Sequence, residues 1–476
     1  MNLLWSNYNE NVKLKADKVI FREAKSGKTI TFEELEKESE KIADYIEANG
    51  EKYGKYVGVS SKKIINSLVT MVGVMKTGRA YIPIDDNMPV ERRTYILSQI
   101  NNSFCDYEEA MKEDIPHVKR NIEDIDMDES AYIIYTSGST GAPKGVEISY
   151  ASAINTILSV NSNFGVDDSD VLINLAPFDF DLSVYDIFCT LMIGTKLIIT
   201  QDGRDIELIR EMLINEKVTV WNSVPMVMEM LITYLQFRYP EDEISNMKNI
   251  FLSGDKTYVK LAHKMNKVFP NSEIVSMGGA TECAIWSNYF KFSELMTEEE
   301  IIPYGYALDN QTLMVLDENL KKCEPGIEGE IVIGGEGVAK GYYKDLEKTN
   351  KSFVFLENFG RVYKTGDKGV LTEHGYINFL GRFDRQRKVR GYRIELEEIE
   401  NTLEDITGLR CAVGIINDSI VAKVVKDSNL IIKDIESKLK IRLPHYMCPS
   451  KIEFVDNIPV TKNGKVDYKL IFCNEE

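Results

Sequence analysis

Through the first half of the chain, short apolar runs alternate with segments whose apolar residues recur at helical spacing. Leu35, Ile42, Tyr45 and Ile46 share one helical face behind Thr31 and Glu34, the spacing of a capping box, and Gly50 closes that helix. Tyr56 to Ser60 reads as a buried strand, residues 64–76 as a helix and Ala80 to Ile84 as a strand. Residues 171–175 and 196–200 read as further strands with helix between and after. This rhythm predicts a layered α/β protein with mostly parallel sheets. No internal repeat or low-complexity tract interrupts it.

The pattern changes near residue 325. Residues 330–334, 369–371 and 376–380 read as short strands between glycine turns, a small β-rich subdomain. A polar, basic stretch from Gly381 to Arg390 follows. Beyond it, residues 411–416 and 420–425 pair as a hairpin across Asn417-Asp-Ser419, residues 431–443 read as a helix and 451–455 as a strand. The reading is a large domain over 1–383 and a small α+β lid over 384–476, with the boundary at Asp384.

Composition narrows the partners. Net charge is −18 over 476 residues, so nucleic acid and anionic membranes are poor partners and any anionic ligand needs locally placed cations. The seven cysteines (Cys105, Cys189, Cys283, Cys323, Cys411, Cys448 and Cys473) form no CxxC, and there are four histidines. Neither a zinc site nor a disulfide framework is expected, and reduced thiols imply a cytoplasmic protein. No apolar run reaches membrane-spanning length, and the N-terminus lacks the pattern of a signal peptide.

Chemistry concentrates first in Tyr135-Thr-Ser-Gly-Ser-Thr-Gly-Ala-Pro-Lys-Gly-Val146, directly after an apolar strand. Glycines let the backbone approach a phosphate, hydroxyls add donors and Lys144 adds a cation. No Gly-Lys pair is followed by Ser or Thr, so this is not the P-loop spacing. Taken alone, the stretch is also compatible with an ordinary Ser/Gly turn.

Further motifs follow in order: Met75-Lys-Thr-Gly-Arg-Ala-Tyr-Ile-Pro-Ile-Asp85, Phe180-Asp-Leu-Ser-Val-Tyr-Asp186, Gly279-Ala-Thr-Glu282, Tyr363-Lys-Thr-Gly-Asp367, Gly381-Arg-Phe-Asp384, Arg390-Gly-Tyr-Arg-Ile-Glu395 and Asn463-Gly-Lys465. With these in hand the chain resembles the adenylate-forming superfamily, most closely the amino-acid adenylation domains of nonribosomal peptide synthetases. The resemblance runs from about Thr31 to Val466. It implies a two-domain α/β enzyme that joins ATP and a carboxylic acid into an acyl-adenylate and then passes the acyl group to a thiol.

The resemblance also implies roles. Thr136, Ser137, Gly138, Ser139, Thr140, Gly141 and Lys144 hold the ATP phosphates. Gly279, Ala280 and Thr281 contribute to the nucleotide site, with Thr281 on the α-phosphate. Glu282 binds Mg²⁺, which prefers oxygen ligands. Asp367 suits the ribose hydroxyls, because a carboxylate accepts two O–H donors, and Arg382 assists it. Lys465 is the catalytic lysine and Asp384 the hinge on which the lid turns. Read without the resemblance, Asp367 is a solvated turn carboxylate and Lys465 an exposed tail lysine.

Asp181 is implied to pair with the α-ammonium of an amino acid; the alternative is a cap on the helix starting near Ser183. The remaining implied pocket positions are Leu182, Tyr185, Asn222, Phe251, Ser253, Met277, Ile285 and Trp286. They describe a small apolar cavity with three aromatics and two neutral polar groups. A thiol suits it, and the set resembles cysteine-activating members; serine, alanine and valine are the alternatives. Two departures stand out: Gly278-Gly279-Ala280 where most members have Tyr-Gly-Pro, and Arg387 in place of a valine. No carrier-like motif is present, so the expected acceptor is a separate phosphopantetheinylated carrier protein. Rival readings are an acyl-CoA or D-alanine–carrier ligase, and a non-catalytic ATP-binding protein of the same fold.

Overall fold

The capping box closes both of its hydrogen bonds. Thr31 Oγ1 accepts from the Glu34 N–H at 3.2 Å and Glu34 Oε2 accepts from the Thr31 N–H at 2.9 Å. The helix so started runs Phe32–Ala48 and buries Leu35, Ile42, Tyr45 and Ile46. It ends at Asn49, one residue before the expected glycine. It packs against the helix Ile65–Lys76, where Gly73 lets the two backbones approach. A Cβ at Gly73 would lie 2.5 Å from Ile42 Cβ, closer than carbon atoms tolerate.

The computed structural model describes residues 1–138, 142–297, 300–427, 430–460 and 466–472. Two compact units emerge. The first comprises Met1–Asp86, Ile100–Ile134 and Gly145–Phe383; the second comprises Asn87–Gln99, Tyr135–Lys144 and Asp384–Glu476.

In the first unit a nine-stranded sheet is built around five successive parallel pairings. In spatial order its central strands are Glu273–Gly278, Asn249–Leu252, Val220–Ser223, Val171–Asn174 and Lys196–Ile199. Their apolar residues face a core that includes Trp221, Leu231, Ile250 and Val259 on one side. On the other they face the buried helix Leu182–Ile193 and its neighbours. A six-stranded sheet contains the parallel neighbours Tyr56–Ser60 and Ala80–Ile84 and, beside them, Ser130–Thr136, the strand that leads into the glycine-rich loop. The β-rich part is a five-stranded antiparallel sheet of Gln311–Leu316, Glu328–Gly335, Gly360–Leu371, Phe353–Leu356 and Ile377–Arg382. The strand expected at 369–371 is thus the end of a twelve-residue one.

The second unit has its own core of Ile394, Ile399, Leu403, Val413, Val424 and Leu439. Strands Cys411–Ile416 and Ser419–Val425 pair antiparallel, and Lys451–Val455 joins in parallel. The turn is two residues, not three. Asn417 and Asp418 both have positive φ, 47° and 54°, and Ser419 already pairs with Ile416, the geometry that matches strand twist in a tight hairpin. The chain's last described segment is moored here. Val460 and Val466 bridge, and the short helix Tyr468–Phe472 packs Ile471 against Ala412 and Ile458. Lys423 Nζ donates to the Ile471 carbonyl at 2.9 Å, and the Arg385 guanidinium lies 3.3 Å above the Tyr468 ring. Among the described residues no helix is long and apolar enough to cross a membrane.

Candidate active site

The second unit contains the described part of the glycine-rich loop. Ser137 Oγ donates to the Arg393 carbonyl at 2.8 Å, and the Gly138 N–H donates to Glu398 Oε2 at 3.2 Å. Thr136 Oγ1 is buried without a partner, and Lys144 is buried at the start of the next strand. Ser139, Thr140, Gly141 and Lys465 lie outside the described residues. Asp384 Oδ1 accepts from the Gln386 N–H at 3.1 Å, at the first residue of this unit's C-terminal segment.

The first unit brings most of the other expected positions together. Helix Leu182–Ile193 begins directly after Asp181, yet the Asp181 side chain does not cap it. It is buried and accepts from Thr281 Oγ1 at 2.6 Å. The capping alternative therefore fails at this residue: the carboxylate points across to the loop that carries Thr281. That loop leaves strand Glu273–Gly278 through Gly279, whose φ is +152°. A Cβ at Gly279 would lie 2.9 Å from the backbone of Ile285, Trp286 and Ser287, so a side chain would push the loop off its neighbour. Ala280 precedes a single 3₁₀ turn of Thr281–Cys283. Gly278, where a tyrosine is usual, has an equally specific reason. A Cβ there would meet Asn288 Nδ2 at 2.4 Å and the Tyr304 ring at 2.8 Å. Tyr304 fills the space that a side chain at 278 needs.

Glu282 is fully buried, and Tyr342 Oη donates to its Oε1 at 2.8 Å. One hard carboxylate fits Mg²⁺, which is usually held by one or two carboxylates together with nucleotide phosphates. Asp367 and Arg382 are register partners on neighbouring strands and form an ion pair. The Asp367 N–H donates to Thr365 Oγ1 at 2.9 Å. Asp367 is thus an ordered, partly buried carboxylate rather than a solvated turn residue.

Tyr185, Phe251 and Trp286 pack as an aromatic triad, with centroids 4.9 Å apart for Tyr185–Trp286 and 5.9 Å for the other two pairs. Leu182, Met277 and Ile285 are buried and belong to the same apolar cluster. Asn222 and Phe251 are register neighbours on parallel strands, so both side chains leave the same face of the sheet. Ser253 follows the end of the Phe251 strand. Three polar atoms here are buried without a partner: Asn222 Oδ1, Ser253 Oγ and Trp286 Nε1. Such orphans cost about 1–3 kcal/mol each when nothing satisfies them, so a small polar ligand is the natural complement.

Beneath Asn222 lies a residue that sequence reasoning missed. Asp186 is buried on helix Leu182–Ile193 and accepts from Asn222 Nδ2 at 3.0 Å and Asn174 Nδ2 at 2.9 Å. Burial pushes its carboxyl up to about 7, against the pull of these two amides and the Lys63 cation. The available signal was a lone acid inside an otherwise apolar helical run.

Among the described residues, Glu40, Asp44 and His117 are the one trio of possible metal ligands that converge. Arg120 occupies that space, 2.7 Å from Glu40 and 2.6 Å from Asp44, so the cluster is an ion-pair network. None of the six described cysteines is joined in a disulfide.

Comparison with known proteins places the chain in a family. The chain matches the AMP-binding enzyme family over residues 8–105 and 101–343 and the AMP-binding enzyme C-terminal domain over 398–465. It is 41% identical to bacitracin synthase 1 of Bacillus licheniformis over 452 residues, which are 93% of this chain and 8% of that protein. It is 36% identical to the anguibactin system regulator of Vibrio anguillarum over 455 residues, 89% of this chain and 43% of that protein. The chain therefore spans less than half the length of these curated relatives. Its fold is similar to that of the Vibrio cholerae adenylation domain AlmE, solved in complex with glycyl-adenosine-5'-phosphate: TM-score 0.85, 21% identity, 100% of this chain and 98% of that one. It is similar also to NpsA-ThdA, an artificially fused adenylation–PCP di-domain from Klebsiella oxytoca: TM-score 0.83, 23% identity, 94% and 93% covered. The chain belongs to the AMP-binding enzyme family and is an ATP-dependent, adenylate-forming ligase of the kind found as adenylation domains in nonribosomal peptide synthetases.

Proposed function

We propose that this enzyme activates L-cysteine with MgATP and delivers it to the phosphopantetheine thiol of a carrier protein. The observation that carries the amino-acid part is Asp181. It is buried, does not cap the helix that follows and reaches across to Thr281, which sets a carboxylate beside the pocket. The α-ammonium of an amino acid is the natural charge-assisted donor to such a group. The pocket's orphaned Asn222 Oδ1 and Ser253 Oγ, set among Tyr185, Phe251 and Trp286, suit a short, weakly polar side chain. The di-domain neighbour, which joins an adenylation domain to a PCP, supports the acceptor.

In the proposed reaction a carboxylate oxygen of the amino acid attacks the α-phosphorus of ATP. The bond to the bridging oxygen breaks, and pyrophosphate leaves with that electron pair. Two anions meet in this step, so donors and cations must surround the forming bond. Thr281, Lys144, Lys465 and the N–H groups of the loop from Thr136 to Gly141 are assigned that work. Asp367 and Arg382 orient the ribose, and Glu282 would hold Mg²⁺, which neutralises phosphate charge when bound. Transfer then exchanges the acyl–phosphate bond for a thioester, with AMP as the leaving group. Asp384 is the proposed hinge between the adenylating and transferring poses.

The test is amino-acid-dependent exchange of labelled pyrophosphate into ATP over all twenty amino acids. Cysteine gives the largest signal, and Lys465→Ala lowers it by about 10²–10³-fold, as loss of a charge-stabilising group does. A clearly higher rate with serine, alanine or valine overturns the assignment of cysteine. Adding a phosphopantetheinylated carrier or coenzyme A as acceptor then separates the carrier-ligase reading from an acyl-CoA ligase.

A further inference from the structure

We propose that Asp186, outside the pocket itself, is a positioning residue that turns Asn222 so that the pocket presents a carbonyl oxygen and selects side chains with a hydrogen to donate. The inference rests on the reading of Asn222 as a pocket residue.

The geometry is local and closed. Asn222 lies on strand Val220–Ser223, in register with Asn174 on one side and Phe251 on the other. Helix Leu182–Ile193 covers this row of residues. Both hydrogens of Asn222 Nδ2 are used on that helix: one meets the Leu182 carbonyl at 3.0 Å, the other Asp186 Oδ1 at 3.0 Å. An amide with both donors committed has one free end, its oxygen, and Asn222 Oδ1 is buried with no partner. Asp186 does not act alone. Its Oδ2 accepts from Asn174 Nδ2, so the acid is gripped between two amides and cannot rotate away.

An asparagine is chemically ambiguous, since either end of its amide can face a ligand. Here the acid removes the ambiguity. With Nδ2 turned outward the pocket would offer donors and favour a side-chain acceptor. With Oδ1 turned outward it offers an acceptor, which a thiol or hydroxyl can satisfy and a methyl group cannot. Leaving the oxygen unpaired against an alkyl substrate is the penalty that creates discrimination. Asp186 therefore sets the sign of the pocket's polarity without touching substrate.

The test compares cysteine with 2-aminobutyrate, which replaces the thiol by a methyl group of similar size, by kcat/KM in pyrophosphate exchange. Thermal melts and KM for ATP serve as checks on folding. In the unsubstituted enzyme the ratio favours cysteine by roughly tenfold or more. Asp186→Leu, which cannot accept, brings the ratio close to one while KM for ATP stays within about twofold. Asp186→Asn retains most of the preference, because its carbonyl can still accept from Asn222 once Asn174 reverses its own amide. Asn222→Ala also abolishes the preference, and adding Asp186→Leu to it changes the ratio no further. A folded Asp186→Leu enzyme with an unchanged ratio overturns the proposal, as does a fully additive double variant. Should Asp186→Leu fail to fold, Asn222→Ala decides: a preserved ratio there sinks the idea. The pocket reading is judged separately on the unsubstituted enzyme. If another amino acid proves to be the substrate, the same variants are scored on that acid against its alkyl isostere.

Discussion

Asp186 shows how much one side chain can carry beyond its sequence signal. Its carboxyl is pushed up to about 7 from an ordinary value of 3.8. Between those values the folded protein holds a proton that the unfolded chain has released. The stabilisation is fully present below about pH 3.8 and fades as pH rises through about 7. Asp186→Asn has no such titration. The melting temperature of the unsubstituted enzyme relative to this variant should therefore fall as pH is raised from about 4 to about 8, by an amount of order a few degrees. Melting scans across that range check it, and a pH-independent offset would sink it. Asp181, Thr281 and Glu282 could be singled out from sequence because they lie in short contiguous motifs, and the structure shows them buried. Asp186 closes one of those motifs, yet its part could not be read there, because its partners Asn174 and Asn222 reach it only through the register of two strands far apart in the chain.

At the scale of elements, the apolar rhythm located the buried parallel strands well, because each is a run of branched residues between helical segments. It failed where polar residues share a strand. Residues 360–368 include Arg361, Lys364 and Asp367, and hydrogen bonding to both neighbours, not apolar period, holds them in the strand Gly360–Leu371. Glycine positions carry a sharper lesson. Gly278 breaks the usual motif because Tyr304 and Asn288 occupy the volume above it. Restoring the common residue with Gly278→Tyr should therefore harm this enzyme. Overpacking of this kind costs typically about 1–3 kcal/mol. The expected outcome is a lower melting temperature and weaker ATP binding by calorimetry, partly recovered when Tyr304→Ala is added. A fully stable single variant would show that the crowding is easily relieved.

At the scale of the whole molecule, the composition shift near Asp384 was visible in sequence, but the grouping of 87–99 and 135–144 with residues beyond it was not. That grouping is tertiary. Glu398, from the C-terminal segment, meets Arg92 of the first insertion at 3.1 Å and the Gly138 N–H of the second at 3.2 Å. Arg92 and Glu398 are buried, and burial raises the Glu398 carboxyl against the pull of Arg92. One acid thus ties three separated stretches of chain. Removing one partner of a buried pair strands the other charge, at a cost of about 3–5 kcal/mol. Glu398→Ala should lower the melting temperature and speed amide exchange within 87–99 and 135–138 specifically. Uniform or unchanged exchange would argue that other contacts hold the segments.

The mooring of the last described segment has a consequence for truncation. Residue 465 is one peptide bond from Val466, and Val466 is bridged to Val460 while Ile471 is wedged against Ala412 and Ile458. The lysine proposed for catalysis is thus bonded directly to a residue that the second unit holds in place. Clipping the chain after Val466 would remove the wedge without deleting the lysine. The shortened enzyme should still bind ATP, yet lose much of its pyrophosphate exchange, like a key cut loose from its ring.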